Sequence, residues 1–212
     1  MTDRPILFSG PMVRAILDGR KTQTRRLAQL KAGLTLDDIE WVPEPGSLAR
    51  RGVFRRDQIA DPTYAVGDRL WVREAWHAAR SLDSTPPRDI PRDADIEHAA
   101  TARNYAEIGL KGKPRPGMFL PRWASRITLI VEAVRVERLQ DISEADAQAE
   151  GFSGRPYDSD DFSDEAPIMP YRQMFAHLWD SLNADRAPWL SNPWVVAVTF
   201  RPVLANIDQV AR

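Results

Sequence analysis

Hydrophobic and polar positions follow two rhythms along this chain, one of period two and one near 3.6, and these mark out predicted strands and helices. Pro5 to Ser9 is short, apolar and β-friendly, and predicts a first strand. Met12, Val13, Ile16 and Leu17 share a helical face. Ser9 or Gly10 can cap that helix, Pro11 suits its first turn, and Gly19 fits the position just past its end. Asp68 to Glu74 alternates at period two after a turn at Gly67 and predicts a strand. Arg126 to Leu139 is the strongest strand signal. Ile127, Leu129 and Val131 take one parity, Val134 and Val136 the other, which a bulge near Glu132–Ala133 or burial on both faces would reconcile. Ser143 opens a short helix through Glu150, stopped by Gly151. Tyr171 to Asn183 is an amphipathic helix with Tyr171, Met174, Phe175, Leu178, Trp179 and Leu182 on one face, and Trp194 to Pro202 is a closing strand.

Between these elements the pattern lapses. Residues 28–66 carry Pro43, Pro45, Gly46, Gly52 and Pro62 and read as irregular, with one short helix near Leu36–Glu40. Residues 81–118 hold five prolines and many charges and read as an inserted loop. Residues 153–170 carry Asp158, Asp160, Asp161, Asp164 and Glu165 and read as a mobile acidic insert. Strands and helices intermix without a repeated βα unit, and no internal repeat is present. The expected class is α+β, one domain over residues 1–212, built on a small mixed or antiparallel barrel.

Composition narrows the function. The chain of 212 residues is 43% hydrophobic and 28% charged, which allows a substantial core. Its formal net charge of -1 lacks the basic excess of a duplex nucleic-acid binder, so any such contact must come from a local patch. The absence of cysteine rules out disulfides, thiolate zinc sites and a thiol nucleophile. His77, His98 and His177 share no ligand spacing, so neither a metal nor another cofactor is expected. The first residues contain no apolar stretch of signal-peptide length, and no run of about 18 apolar residues occurs. The expectation is a cytoplasmic protein with no membrane partner.

One segment stands out chemically. Gly19-Arg20-Lys21-Thr22-Gln23-Thr24-Arg25-Arg26 places four cations and two threonines together with no acid among them. Unpaired cations repel one another and are rarely kept in a core, so the segment is expected to line a cleft. A lysine that is desolvated or crowded by other cations loses proton affinity and can act as a base; a threonine beside it is a potential nucleophile or water-positioning group. In a pure strand Thr22, Thr24 and Arg26 share one face and Lys21 takes the other, so Lys21 and Thr24 converge only if the chain turns between them. The plainer reading is a solvated basic turn that complements a helix dipole.

Weaker candidates surround it. Glu74, between Trp71 and Trp76, could hydrogen-bond a base edge with a tryptophan stacked on its face, or could be a strand-end charge beside core aromatics. Trp123, Trp179, Trp189 and Trp194 read mainly as core. Arg50, Arg51, Arg55 and Arg56 form a second basic cluster, either a phosphate contact or a solvated face. There is no phosphate-binding glycine loop and no Gly-x-Ser-x-Gly elbow.

The stretch Ile16-Leu17-Asp18-Gly19-Arg20-Lys21-Thr22-Gln23-Thr24-Arg25-Arg26 resembles the signature of ASCH-domain proteins. Members of a larger, phage- and prophage-associated branch also resemble the chain at Gly67 to Glu74, Pro121 to Arg126 and Leu139 to Glu144, and the likeness ends near Asn192 to Val195. It covers most of the chain outside residues 28–60, 80–115 and 153–170. The resemblance implies a PUA-like fold, a small mixed β-barrel with flanking helices, here with two large loop insertions. Some small ASCH proteins are amidohydrolases that remove the acetyl group from N(4)-acetylcytidine, using a lysine and a threonine of the signature and a glutamate of a later helix. The resemblance carries these roles to Lys21, Thr24 and Glu150. Glu150 ends a helix behind the small Ala147 and Ala149, which permit close approach, although a lone glutamate is more often a surface residue.

The implied activity is a metal-free amidohydrolase of pyrimidine metabolism, without cofactor. It would remove an acyl group from the exocyclic amine of an N(4)-acylated cytidine or cytosine. Its partner would be a small modified nucleoside or base. Lys21 would activate Thr24 or a water, Glu150 would pass the proton to the departing amine, and Arg26 or another cation would stabilise the oxyanion. Glu74, Trp76 and Trp123 would bind substrate. The alternatives are a non-catalytic RNA-binding PUA-like module and a ribonuclease using the same basic cleft.

Overall fold

Each strongly periodic stretch forms the element its pattern predicts. The computed structural model describes residues 2–28, 41–43, 52–54, 64–102, 112–153 and 169–211, with 41–43 and 52–54 described by backbone alone. The elements are β1 (Asp3–Leu7), α1 (Gly10–Leu17), β2 (Gln23–Leu27), β3 (Trp41–Pro43), β4 (Gly52–Phe54), β5 (Arg69–Arg73), β6 (Trp76–His77), β7 (Glu97–His98), β8 (Thr128–Arg138), α2 (Glu144–Ala149), α3 (Tyr171–Asn183) and β9 (Trp194–Val203), with short 3-10 turns between some of them. The class is α+β. Among the described residues the main sheet is mixed, in the order β1-β5-β8-β9-β2, open at β1 and β2. None of the described helices is long and apolar enough to cross a membrane.

The chain forms two compact units, each assembled from separate stretches: residues 1–19, 67–130 and 201–212 in one, 20–66 and 131–200 in the other. In the first, β1 runs parallel to β5 and β5 antiparallel to the start of β8. Helix α1 buries Met12, Val13, Ala15 and Ile16, as its spacing requires, and ends at Gly19, whose φ of 74° a side chain would oppose. A separate cluster gathers Trp76, Ala78, Ile90, Leu120 and Ala124, with Leu82, Ala94, Ile96 and Trp123 against it. Much of 81–118, read as an inserted loop, is therefore packed structure. Its isolated apolar residues close over Trp76, and β6 pairs with β7. Residues 205–210 are tied down as well. Asn206 Nδ2 donates to the carbonyls of Arg122, Trp123 and Ser125, and Thr128 Oγ1 donates to Ala205 O.

In the second unit β2 pairs antiparallel with β9, from Gln23 opposite Thr199 to Leu27 opposite Val195. Leu139, Ile142, Ala147, Phe152, Met174, Phe175, Trp179 and Val195 form its core, to which α2 contributes Ala147 and α3 contributes Met174, Phe175 and Trp179. β8 buries Thr128, Leu129 and Val131, residues of both parities, at its start, whereas Val134 and Val136 are only partly buried. Burial on two faces thus accounts for its first residues and not for the later change of parity. Residues 28–66, expected to be irregular, include the antiparallel pair β3–β4, whose three-residue strands are too short to show a period. The helix expected near Leu36–Glu40, the cluster Arg50, Arg51, Arg55 and Arg56, and the acidic insert from 154 to 168 lie outside the described residues.

Candidate functional site: a buried charge cluster

After Gly19 the chain runs extended into β2, so Lys21, Gln23 and Arg25 recur at period two. All three are buried and meet α2 and its cap. Ser143 begins α2 by accepting the Asp146 amide at 3.0 Å, and Gly151, at φ 108°, closes it, leaving Glu150 at the C-cap. The backbones join there. Lys21 and Glu150 form an antiparallel bridge, and the Thr22 amide donates to Ala149 O at 2.8 Å.

Lys21 has no exposed surface. Its ammonium donates to Gln23 O at 2.8 Å, Glu150 O at 2.9 Å and Glu150 Oε2 at 2.7 Å, which satisfies three protons. The carbonyl of Glu150 lies at a helix C-terminus, a favourable place for a cation. The other carboxylate oxygen, Oε1, accepts from Arg25 Nη1 at 3.1 Å. Arg25 Nε donates to Glu137 Oε1 at 2.9 Å, and Arg25 Nη2 lies 3.6 Å from Asp146 Oδ2. Gln23 Nε2 donates to Asp146 Oδ1 at 2.8 Å, and Arg135 reaches Asp146 Oδ2 at 3.1 Å and Glu137 Oε2 at 3.4 Å. Three cations thus face three carboxylates in one cluster. Arg20 also donates to Gly151 O.

This corrects the expectation that the cations of residues 20–26 stay out of the core. Lys21 and Arg25 are buried, and their countercharges come from β8 and α2, more than a hundred residues along the chain. Burial pulls the Lys21 pKa below its ordinary value by removing the water that would stabilise the ammonium. Glu150 opposes that shift, and Arg26 and Arg25 add to it. At Asp146 burial works against ionisation but is outweighed by Gln23, Arg135, Arg25 and Ser143, so its pKa lies below the ordinary carboxylate value.

Thr24 is buried too, and its Oγ1 accepts from Arg26 Nη1 at 2.9 Å; the half-buried Arg26 also donates to Arg25 O at 3.1 Å. The guanidinium is folded back over the threonine hydroxyl. Lys21 and Glu150 are brought into direct contact, and Thr24 and Arg26 form a second contact on residues of the opposite parity.

Glu74, Trp76 and Trp123 belong to the first unit. Glu74 accepts a two-pronged grip from Arg126, Nε to Oε1 at 2.9 Å and Nη2 to Oε2 at 3.0 Å, and Arg126 also reaches Thr101. Trp76 is fully buried with Arg115 over its ring, and Trp123 is half-buried against the same cluster. His98 lies beside this group, its pKa lowered by burial. Among the described residues no group of three or more His, Asp or Glu side chains is placed to hold a metal ion.

Gln23 and Arg25 lay within the segment singled out from the sequence but were given no role of their own, and Arg135, Glu137 and Asp146 were not singled out. The period-two recurrence of Lys21, Gln23 and Arg25 is a signal that would have marked Gln23 and Arg25. The carboxylates carry no local mark. No family model, no curated protein and no solved structure matches this chain.

Proposed function

We propose that the chain is a metal-free amidohydrolase that removes an acyl group from the exocyclic amine of an N(4)-acylated cytidine or cytosine, on a PUA-like variant of the α+β fold. The observation that carries this reading is the buried contact between Lys21 and Glu150, 2.7 Å apart although 129 positions separate them in sequence. It gives the two residues named by the ASCH resemblance a common proton. A neutral amine is the useful form of Lys21, and desolvation favours it. Lys21 passes a proton to Glu150 and, because Thr24 lies on the opposite parity of the extended chain, takes the proton of the Thr24 hydroxyl only through a bridging water, or takes that of an attacking water. The oxygen attacks the acyl carbon, Arg26 swings from Thr24 Oγ1 to the developing oxyanion, and the bond to N4 breaks as the Glu150 proton reaches the departing amine. Water then frees the acyl group from Thr24. Glu74, Trp76 and Trp123 carry no step in this scheme.

Incubation with a panel of acylated cytidines, read by chromatography, will release cytidine, and EDTA will leave the rate unchanged. Lys21→Arg will be as inactive as Lys21→Ala, because arginine does not give up its proton. Substantial activity in Lys21→Arg would show that lysine supplies fixed charge only. No cytidine from any substrate, with RNA binding that weakens steeply with salt, would favour the RNA-binding module instead. The burial of Lys21 and Arg25 against carboxylates speaks against that module, since neither cation faces outward to meet a phosphate.

A further inference from the structure

Arg25 has no step in the proposed reaction, yet its guanidinium stands between Glu150, Glu137 and Asp146 with almost none of its surface exposed. A buried arginine of this kind is costly unless its charges are well matched, so its position needs a reason beyond general stability. The geometry at Glu150 supplies one. Each carboxylate oxygen faces a different cation, Oε1 toward Arg25 Nη1 at 3.1 Å and Oε2 toward Lys21 Nζ at 2.7 Å.

We propose that Arg25 is a positioning residue for the Lys21–Glu150 pair: it holds Oε1 so that Oε2 alone faces the ammonium, and it shares the carboxylate charge between two cations. Without that hold the carboxylate is free to turn both oxygens toward Lys21, and its whole charge acts there. The lysine then keeps its proton more tightly, and less of it is in the neutral form that can accept one. Glu137 and Asp146 set the strength of the hold. They draw Arg25 from the other side and are themselves partly satisfied by Arg135 and Gln23. Arg26 also acts on Lys21, in the same direction as Arg25 and more strongly. The catalytic consequence rests on the hydrolase reading, whereas the effect on Lys21 does not.

The test follows Lys21 directly, through the pH titration of its 13Cε resonance in the full chain, alongside the pH profile of kcat/KM on N(4)-acetylcytidine. Arg25→Met will raise the Lys21 midpoint by roughly one pH unit or more. It will move the acid limb of the profile by the same amount, so that activity below the midpoint falls about tenfold. Arg25→Lys keeps the charge and will move both less than half as far. Should Arg25→Met fail to fold, Glu137→Gln decides: Arg25 is then drawn more strongly to Glu150, and the Lys21 midpoint falls. Midpoints and profiles that superimpose on the wild type in folded variants, with only the melting temperature lowered, would make Arg25 a purely structural residue and overturn the proposal. If the wild type releases no cytidine, the hydrolase reading fails, and the Lys21 titration still decides the role of Arg25.

Discussion

A lysine ammonium without exposed surface is stable only where its protons have acceptors, and at Lys21 these are two carbonyls and one carboxylate oxygen. The pair is therefore structural as well as chemical. Removing Glu150 leaves Lys21 as a buried charge without its carboxylate, whereas removing Lys21 leaves Glu150 still held by Arg25. Glu150→Gln will therefore destabilise the protein by about 3–5 kcal/mol and Lys21→Met by less. The double variant will cost less than the sum, and a denaturant double-mutant cycle will show the difference. Additive effects would mean that the two groups do not interact. Thr24 behaves differently. Its hydroxyl accepts one bond from a half-buried arginine, so Thr24→Val will change stability by only about 1 kcal/mol while abolishing cytidine release. Equilibrium denaturation and turnover measured on the same samples separate these two kinds of residue.

At the scale of elements, the cluster depends on a helix of only six residues, α2, too short to persist on propensity alone. Its start is secured by the Ser143 cap, and its end presents Glu150. Ser143→Ala will cost about 1 kcal/mol, readable as a lower denaturation midpoint, and will weaken the hold on Asp146. A midpoint unchanged from the wild type would show that tertiary contacts alone fix the helix. The helices and long strands were legible in the sequence because their periodicity records which face is buried: Met174, Phe175 and Trp179 of α3 are core where the 3.6-residue period puts them. The charge cluster was only partly legible. Lys21 and Glu150 were named by resemblance, but no local pattern reports that Glu137, Asp146 and Glu150 converge on Lys21 and Arg25, because strand pairing and helix docking set that meeting. The segment 81–118 was misread for a related reason. Prolines and charges there conceal single apolar residues, Ile90 and Leu120 among them, which pack only once Trp76 gives them a surface.

For the whole molecule, acid sensitivity should have an identifiable source in the first unit. Asp3 is held by Arg69 at 2.8 Å and Arg122 at 2.7 Å, and Arg122 also grips Asp208. The Arg69 hydrogen bond, with help from Arg122, outweighs burial and lowers the Asp3 pKa from 3.8 to about 2. A carboxylate with a depressed folded-state pKa gives its full contribution above the unfolded value and loses it as pH falls through the folded one. Asp3→Asn will therefore differ most from the wild type above pH 4 and converge on it toward pH 2, as urea midpoints across that range will show; a constant difference would refute the linkage. The cluster around Lys21 imposes a dependence of another kind, on temperature. Water orders itself tightly around charged groups, so the penalty for withdrawing them shrinks on heating. Lys21, Arg25 and Glu150, kept from water, are thus least favourable in the cold and gain ground as the protein warms. Exchanging Lys21 and Glu150 together for Met and Leu removes one charge of each sign and keeps the remainder balanced. That exchange will flatten the rise in relative stability with heat, which makes the charged pair an adaptation whose worth depends on how warm the protein must work.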